Sequence, residues 1–180
     1  AVDARIVVGA AAQTSPGRAG HYGHLAILPY PQRHEQIWPL RGGGEYTLRP
    51  IHPDDAQMLQ QLMKRLSPES RYFRFARELA LCAVVVVEGT DSEGQKIEKE
   101  RIIGVSRYIT NPDQSSCEFS LVVDDAYGGQ GLGTRLMLSI MDVAREKGLQ
   151  EIIGLVLTHN NGMLKLMRSL GFEVKAYPDD

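Results

Sequence analysis

The sequence predicts an α+β domain in which a mixed central sheet is flanked by helices. Three observations lead there. Apolar, β-branched runs at 81–88, 101–110 and 116–124 are separated only by turn residues, the pattern of antiparallel strands. After the glycine-rich stretch 128–133 the apolar period changes from two to about 3.6, with Leu136, Met137, Ile140, Val143 and Ala144 on one helical stripe. The remaining chain then alternates strand, helix and strand at 151–157, 160–170 and 172–174.

Taken in order, residues 1–11 read as a strand cut from something larger. The stretch up to residue 44 carries Pro16, Pro29, Pro31, Pro39 and the run Gly42-Gly43-Gly44 with no helical period, which reads as a linker or extended arm. Charge shifts at the same place: residues 1–44 hold four basic and two acidic side chains, and residues 45–180 hold 16 and 20. The expected division is therefore an arm at 1–44 and a folded domain at 45–180. Residues 45–49 form a strand candidate, and Pro53-Asp54-Asp55 opens a helix with Ala56, Leu59, Leu62 and Met63 on its apolar stripe. Ser67-Pro68-Glu69 repeats the start signal. From Arg71 to Val87 helix passes into strand with no turn residue, although such connections commonly take ~2–6 residues, so residues missing between Phe75 and Ala76 are expected. Gly89 and Gly94 bracket a hairpin turn, Asn111-Pro112-Asp113 marks the next turn, and Gly148 and Gly171 end the last two helices.

Composition excludes several classes. With 43% hydrophobic and 23% charged residues in 180, the chain is neither low-complexity nor disordered. The apolar run 81–87, ended by Glu88, falls well short of the ~20 residues of a membrane span. A net charge of −2 gives nucleic acid or anionic lipid no general attraction. Cys82 and Cys117 form no disulfide framework and, with five histidines, no metal-ligand spacing, so no metal is expected. Reduced cysteines and the lack of a basic-then-apolar leader order favour the cytoplasm.

Chemistry concentrates in Gly128-Gly129-Gln130-Gly131-Leu132-Gly133-Thr134, between a strand and the longest helix. Glycines there permit positive φ and close approach, and the helix start offers unpaired amides to an anion such as phosphate. A plain tight turn is the alternative. A dinucleotide fingerprint would need glycine at position 134 and a P-loop would need lysine there; threonine satisfies neither. On the preceding strand, alternation puts Glu118, Ser120 and Val122 on one face and Cys117, Phe119, Leu121 and Val123 on the other. A strand carboxylate among apolar neighbours is a setting that suits a general base; a glutamate on a solvated strand face is the alternative.

These residues, with Asn160 and Gly171-Phe172, resemble the GNAT superfamily of acyl-CoA-dependent N-acyltransferases, whose signature is Q/R-x-x-G-x-G/A. Gly131 and Gly133 fill its last two positions, whereas Gly128 stands at the first. The resemblance covers residues 45–174. It is closest to bacterial protein lysine acetyltransferases in which this domain follows an NDP-forming acyl-CoA synthetase-like (ATP-grasp) region. Asp3-Ala4-Arg5-Ile6-Val7-Val8, His24-Leu25-Ala26-Ile27, Leu48-Arg49-Pro50-Ile51, Ser70-Arg71-Tyr72-Phe73-Arg74-Phe75 and Arg77-Glu78-Leu79-Ala80-Leu81 carry that similarity. It implies that residues 1–44 are a remnant or linker of such a region.

The resemblance further implies acetyl-CoA as co-substrate, Glu118 as general base, and main-chain groups of Val122 and Val123 along the pantetheine arm. Gly129, Gln130, Gly131, Leu132, Gly133 and Thr134 would hold the diphosphate, with Asn160 lining the cleft or simply capping the last helix. Met167 stands where many members have a proton-donating tyrosine; Tyr108 and His159 are substitutes. The implied acceptor is a protein lysine, with an acyl-CoA synthetase as candidate partner; a small amine acceptor or a non-catalytic acyl-CoA-sensing module are the alternatives.

Overall fold

The computed structural model describes residues 2–7, 34–66 and 79–176. Its strands are β1 (Val2–Val7), β2 (Gln36–Pro39), β3 (Glu45–Pro50), β4 (Ala80–Thr90), β5 (Lys96–Thr110), β6 (Ser116–Val123), β7 (Glu151–Val156) and β8 (Glu173–Ala176). The helices are α1 (Ala56–Arg65), α2 (Leu132–Glu146) and α3 (Asn161–Ser169). All eight strands join one sheet in the order β2-β3-β4-β5-β6-β7-β1-β8. Neighbours are antiparallel except β6 and β7, which are parallel.

The expected arm at 1–44 meets this sheet twice. β1 lies between β7 and β8, antiparallel to both, with Ala4 fully buried; β2 forms the opposite edge against β3. The sheet therefore draws strands from both sides of the 44/45 boundary. The pairing of residues 2–7 with 151–156 is a contact between distant parts of the chain, and no local pattern announces it. The helix start at 67–69, the aromatic stretch 70–75 and the suspected break at 75/76 lie outside the described residues.

Within the antiparallel half, polar side chains build the turns. Asp91 accepts from the amides of Glu93 (2.9 Å) and Gln95 (2.8 Å), while Gly94 takes φ +82°, closing the β4–β5 hairpin. Asp113 does the same at the next turn, accepting from the amides of Ser115 and Ser116, and these bonds hold its carboxyl below the usual range.

The sheet separates two apolar clusters. On one face α2 and α3 bury Leu132, Leu136, Met137, Ile140, Leu164 and Met167 against Cys117, Phe119 and Ile152. On the other, α1 buries Leu59, Leu62 and Leu66 against Cys82, Val84, Ile102, Val105 and Val122. The α1 stripe is thus shifted from expectation. Pro53–Asp55 is a 3-10 turn, so the α-helix begins only at Ala56, which is exposed. Asp55 turns inward rather than serving the helix dipole. It is buried and accepts from both terminal nitrogens of Arg49 (2.7 and 2.8 Å) and from the His52 amide (2.7 Å). Burial alone would raise its carboxyl; the Arg49 and His52 hydrogen bonds overturn that and hold it below the usual value. No helix among the described residues is long and apolar enough to cross a membrane.

Candidate active site

The two edges of β6 differ. Against β5 it pairs along 117–123, but against β7 only Ser116, Cys117 and Glu118 pair, with Glu151, Ile152 and Ile153. β7 continues to Val156 beside β1. Past Glu118 and Ile153 the two parallel strands therefore fork, and the fork opens at their carboxyl ends, where α/β sheets commonly bind ligands. Gly154 stands just inside it. A Cβ there would collide with the Phe119 ring, so only glycine lets that ring sit at the crotch, edge-on to Phe172.

Hydrogen-bond parity says which backbone groups line the gap. Asn111 N donates to Ser116 O (2.9 Å) and Asp124 N to Ile103 O (2.8 Å), so even-numbered residues of this strand bond towards β5. Gln150 N donates to Ser115 O (2.7 Å) on the other edge. The main-chain groups of Phe119, Leu121 and Val123 consequently face the fork. Val122, expected to offer its backbone, engages Val105 instead, and its side chain is buried under α1. Leu121, which sequence reasoning missed, takes its place beside Val123.

Beyond the fork, 128–133 leads into α2. Gly129 (φ +72°) and Gly131 (φ +84°) hold left-handed conformations, Gly131 as the helix N-cap. The first intrahelical bond runs from Arg135 N to Gly131 O (3.1 Å), which leaves the amides of Leu132, Gly133 and Thr134 without intrahelical partners. The Leu132 side chain is buried in the core. Gly133 is small for packing: a Cβ there would stand 3.2 Å from Leu166 of α3. Gln130 turns its side chain to Gly42, within 3.0 Å of where a Cβ would be, so it faces a neighbouring hairpin. Asn160 caps α3, accepting from Met163 N at 3.0 Å.

Glu118 is the last residue of β6 paired with β7, flanked in register by Ile109 and Ile153. It is exposed on the α1 face, with apolar register neighbours but no apolar enclosure among the described residues. Leu155, of the same parity as Ile153 on β7, is also exposed. Cys117 is buried on the opposite face, as alternation requires. Tyr108 is fully buried in the α2 and α3 core, as is Met167, whose thioether has no proton to donate, whereas His159 is exposed before α3.

Sequence reasoning also missed groups brought in by tertiary contact. Arg65 ties the end of α1 to the end of β6, donating to Asp124 (2.7 Å) and to Ile102 O (2.7 Å). Asp124 in turn accepts from Ala126 N, shaping the approach to the glycine loop. The β2–β3 hairpin leans on α2, with Trp38 under the Arg135 guanidinium at 3.5 Å. A cavity of about 480 Å³ beneath that hairpin, lined by His34, Trp38, Arg135, Asp142 and Glu146, includes none of the residues expected from sequence.

The sequence model of the acetyltransferase (GNAT) family matches residues 56–172, from the start of α1 to the residue before β8. The chain belongs to the GNAT family. It is 30% identical over 152 residues to an acetyltransferase of Pseudomonas aeruginosa, an alignment covering 78% of this chain and 82% of that one. The GNAT domain of the S. lividans PAT superposes with a TM-score of 0.68 at 27% identity, covering 84% of this chain and 95% of that domain. A cAMP-binding acyltransferase from Mycobacterium smegmatis shares the fold at 22% identity and a TM-score of 0.52, over 81% of this chain and 48% of its own. The α+β sheet with its helices is thus a GNAT fold, and the chain is an acyltransferase enzyme. GNAT enzymes generally use acetyl-CoA and imply an acceptor substrate.

Proposed function

We propose that this GNAT enzyme transfers an acetyl group from acetyl-CoA to a lysine side chain of a protein, with Glu118 as general base. The observation behind the reading is the fork. A carboxylate at its crotch, main-chain groups of Leu121 and Val123 facing the gap, and the unpaired amides at the start of α2 support this reading.

Acetyl-CoA supplies a thioester-activated acetyl group. A lysine amine, with an ordinary pKa of ~10.4, is mostly protonated at neutral pH. Glu118 takes that proton, and the free amine displaces the thiol, forming the amide C–N bond as the C–S bond breaks. A main-chain N–H facing the fork is placed to donate to the carbonyl oxygen as it gains charge. With Tyr108 buried and a methionine at position 167, the leaving thiolate, ordinary pKa ~8.5, takes its proton from solvent, to which the newly acylated nitrogen releases its second proton. Positive helix-end amides at Leu132, Gly133 and Thr134, and the left-handed Gly129 and Gly131, favour the diphosphate. Asn160 caps α3 and lines the cleft with its remaining edge.

The exposed Glu118 and Leu155 leave the α1 face open among the described residues, which favours an acceptor presented on a macromolecule. The similarity around Leu48-Arg49-Pro50-Ile51 favours a protein lysine, an acyl-CoA synthetase being the candidate target, and a connection to a synthetase-like region on the amino-terminal side. The unbridged, buried Cys82 and Cys117 accord with a cytoplasmic enzyme. Calorimetry with acetyl-CoA, thiol release, and mass spectrometry of lysines in candidate synthetases test this together. Binding with release dependent on the protein substrate is expected; release only with small amines, or binding without release for any amine, contradicts it.

A further inference from the structure

The tip of the β2–β3 hairpin sits against the glycine loop. Leu40 and Gly44 close it through Leu40 N to Gly44 O and Gly43 N to Leu40 O, both 3.0 Å, with Gly43 and Gly44 at positive φ. Arg41 projects from this tip. Its Nε lies 3.2 Å, and its Nη2 3.7 Å, from where a Cβ on Gly131 would stand. Gln130 against Gly42 and Trp38 under Arg135 hold the hairpin in that seat.

Electrostatically the placement is unfavourable by itself. A helix N-terminus carries the positive end of the dipole and disfavours a cation by ~0.3–1 kcal/mol. Here Arg41 lies over the N-cap and Arg135 in the first turn, with no acidic residue in that turn. Among the described residues Arg41 has no carboxylate within ion-pair distance, and it is exposed. An anion between the guanidinium and the loop amides attracts both and offsets this repulsion.

We propose that Arg41 is a phosphate-binding residue of the acyl-CoA site, closing over the diphosphate held by the amides at 129–134. The proposal rests on the reading of the fork and loop as the coenzyme A site. It places a contact for the donor on the amino-terminal hairpin, outside the residues matched by the family model.

Calorimetry on the full chain with coenzyme A and with 3′-dephospho-coenzyme A tests it, using wild type, Arg41→Ala and Arg41→Lys. Charge-assisted hydrogen bonds of this kind predict a loss of about ten- to a hundredfold in Arg41→Ala. The loss should be equal for the two ligands. Arg41→Lys should recover part, since lysine keeps the charge but not the planar fork. In steady state the acetyl-CoA KM should rise while kcat holds, and the melting temperature should stay put because Arg41 is exposed. Unchanged affinity in Arg41→Ala overturns the proposal, and a loss seen with coenzyme A but not with the dephospho form reassigns Arg41 to the ribose phosphate and overturns it as stated. Wild-type protein that binds neither ligand refutes the coenzyme site itself, a different result from wild-type binding that Arg41→Ala leaves untouched.

Discussion

One strand, β6, has a closed edge and an open one. On the β5 side seven residues are paired in unbroken register. On the β7 side pairing stops after three, and the backbone groups of Phe119, Leu121 and Val123 are left facing a gap. In an ordinary sheet such an edge is a liability, because unpaired strand groups seek partners. In this GNAT enzyme it is where a ligand can pair. The closed half of the sheet, from β3 to β5, is continuously paired, and the proposed function puts the chemistry in the open half.

That contrast is strongest at Glu118, at the crotch of the fork. Glu118→Gln is expected to lower kcat by about 10²–10⁴, the usual contribution of a general base, with acetyl-CoA affinity and melting temperature unchanged. A comparable loss of stability would make Glu118 part of the closed half. In the closed half, Asp55→Ala breaks a buried, bidentate ion pair with Arg49 and should reduce stability by about 3–5 kcal/mol in urea unfolding, with the fold of surviving molecules still able to bind coenzyme A. This pair also sets an acid limit. Because the folded Asp55 carboxyl titrates below its ordinary value of ~3.9, its contribution is present above about pH 4 and is lost as pH falls through the folded value. The stability difference between pH 7 and pH 3 should therefore narrow in Asp55→Asn.

At the mouth of the fork, Gly131→Asp puts a side chain at φ +84° and a negative charge against the proposed diphosphate site. Coenzyme A affinity should drop on the order of tenfold or more, measured by calorimetry on folded protein. The smallest expected effect is chemical. Burial pushes the Cys82 thiol up to about 12, so native protein should resist thiol-labelling reagents at pH 8 and become reactive in denaturant. Rapid native labelling would place Cys82 outside the α1 cluster.

What the sequence made legible follows from range. Strands and helices from residue 80 onward were readable because period, glycine caps and Asp turns are local: Gly94, Gly148 and Gly171 all take the positive φ expected of them. The glycine loop leading into α2, with left-handed Gly129 and Gly131, was readable for the same reason. The place of Val2–Val7 was not, since its partners lie some 150 residues away and its apolar run suits any buried strand. Neither was the choice of Val123 and Leu121 over Val122, which depends on hydrogen-bond parity and hence on register. Arg41 was hidden in a proline- and glycine-rich stretch that reads as a linker until the hairpin folds against α2.

The most direct test is a titration of isotope-labelled protein with coenzyme A, followed through backbone amide resonances. The account predicts that Leu121, Val123, Gly129 and residues 131–134 shift together and saturate at one affinity, while Val122 and the β4–β5 hairpin turn do not. Saturable binding that leaves those amides unmoved and instead perturbs His34, Trp38 and the cavity under the hairpin would contradict it.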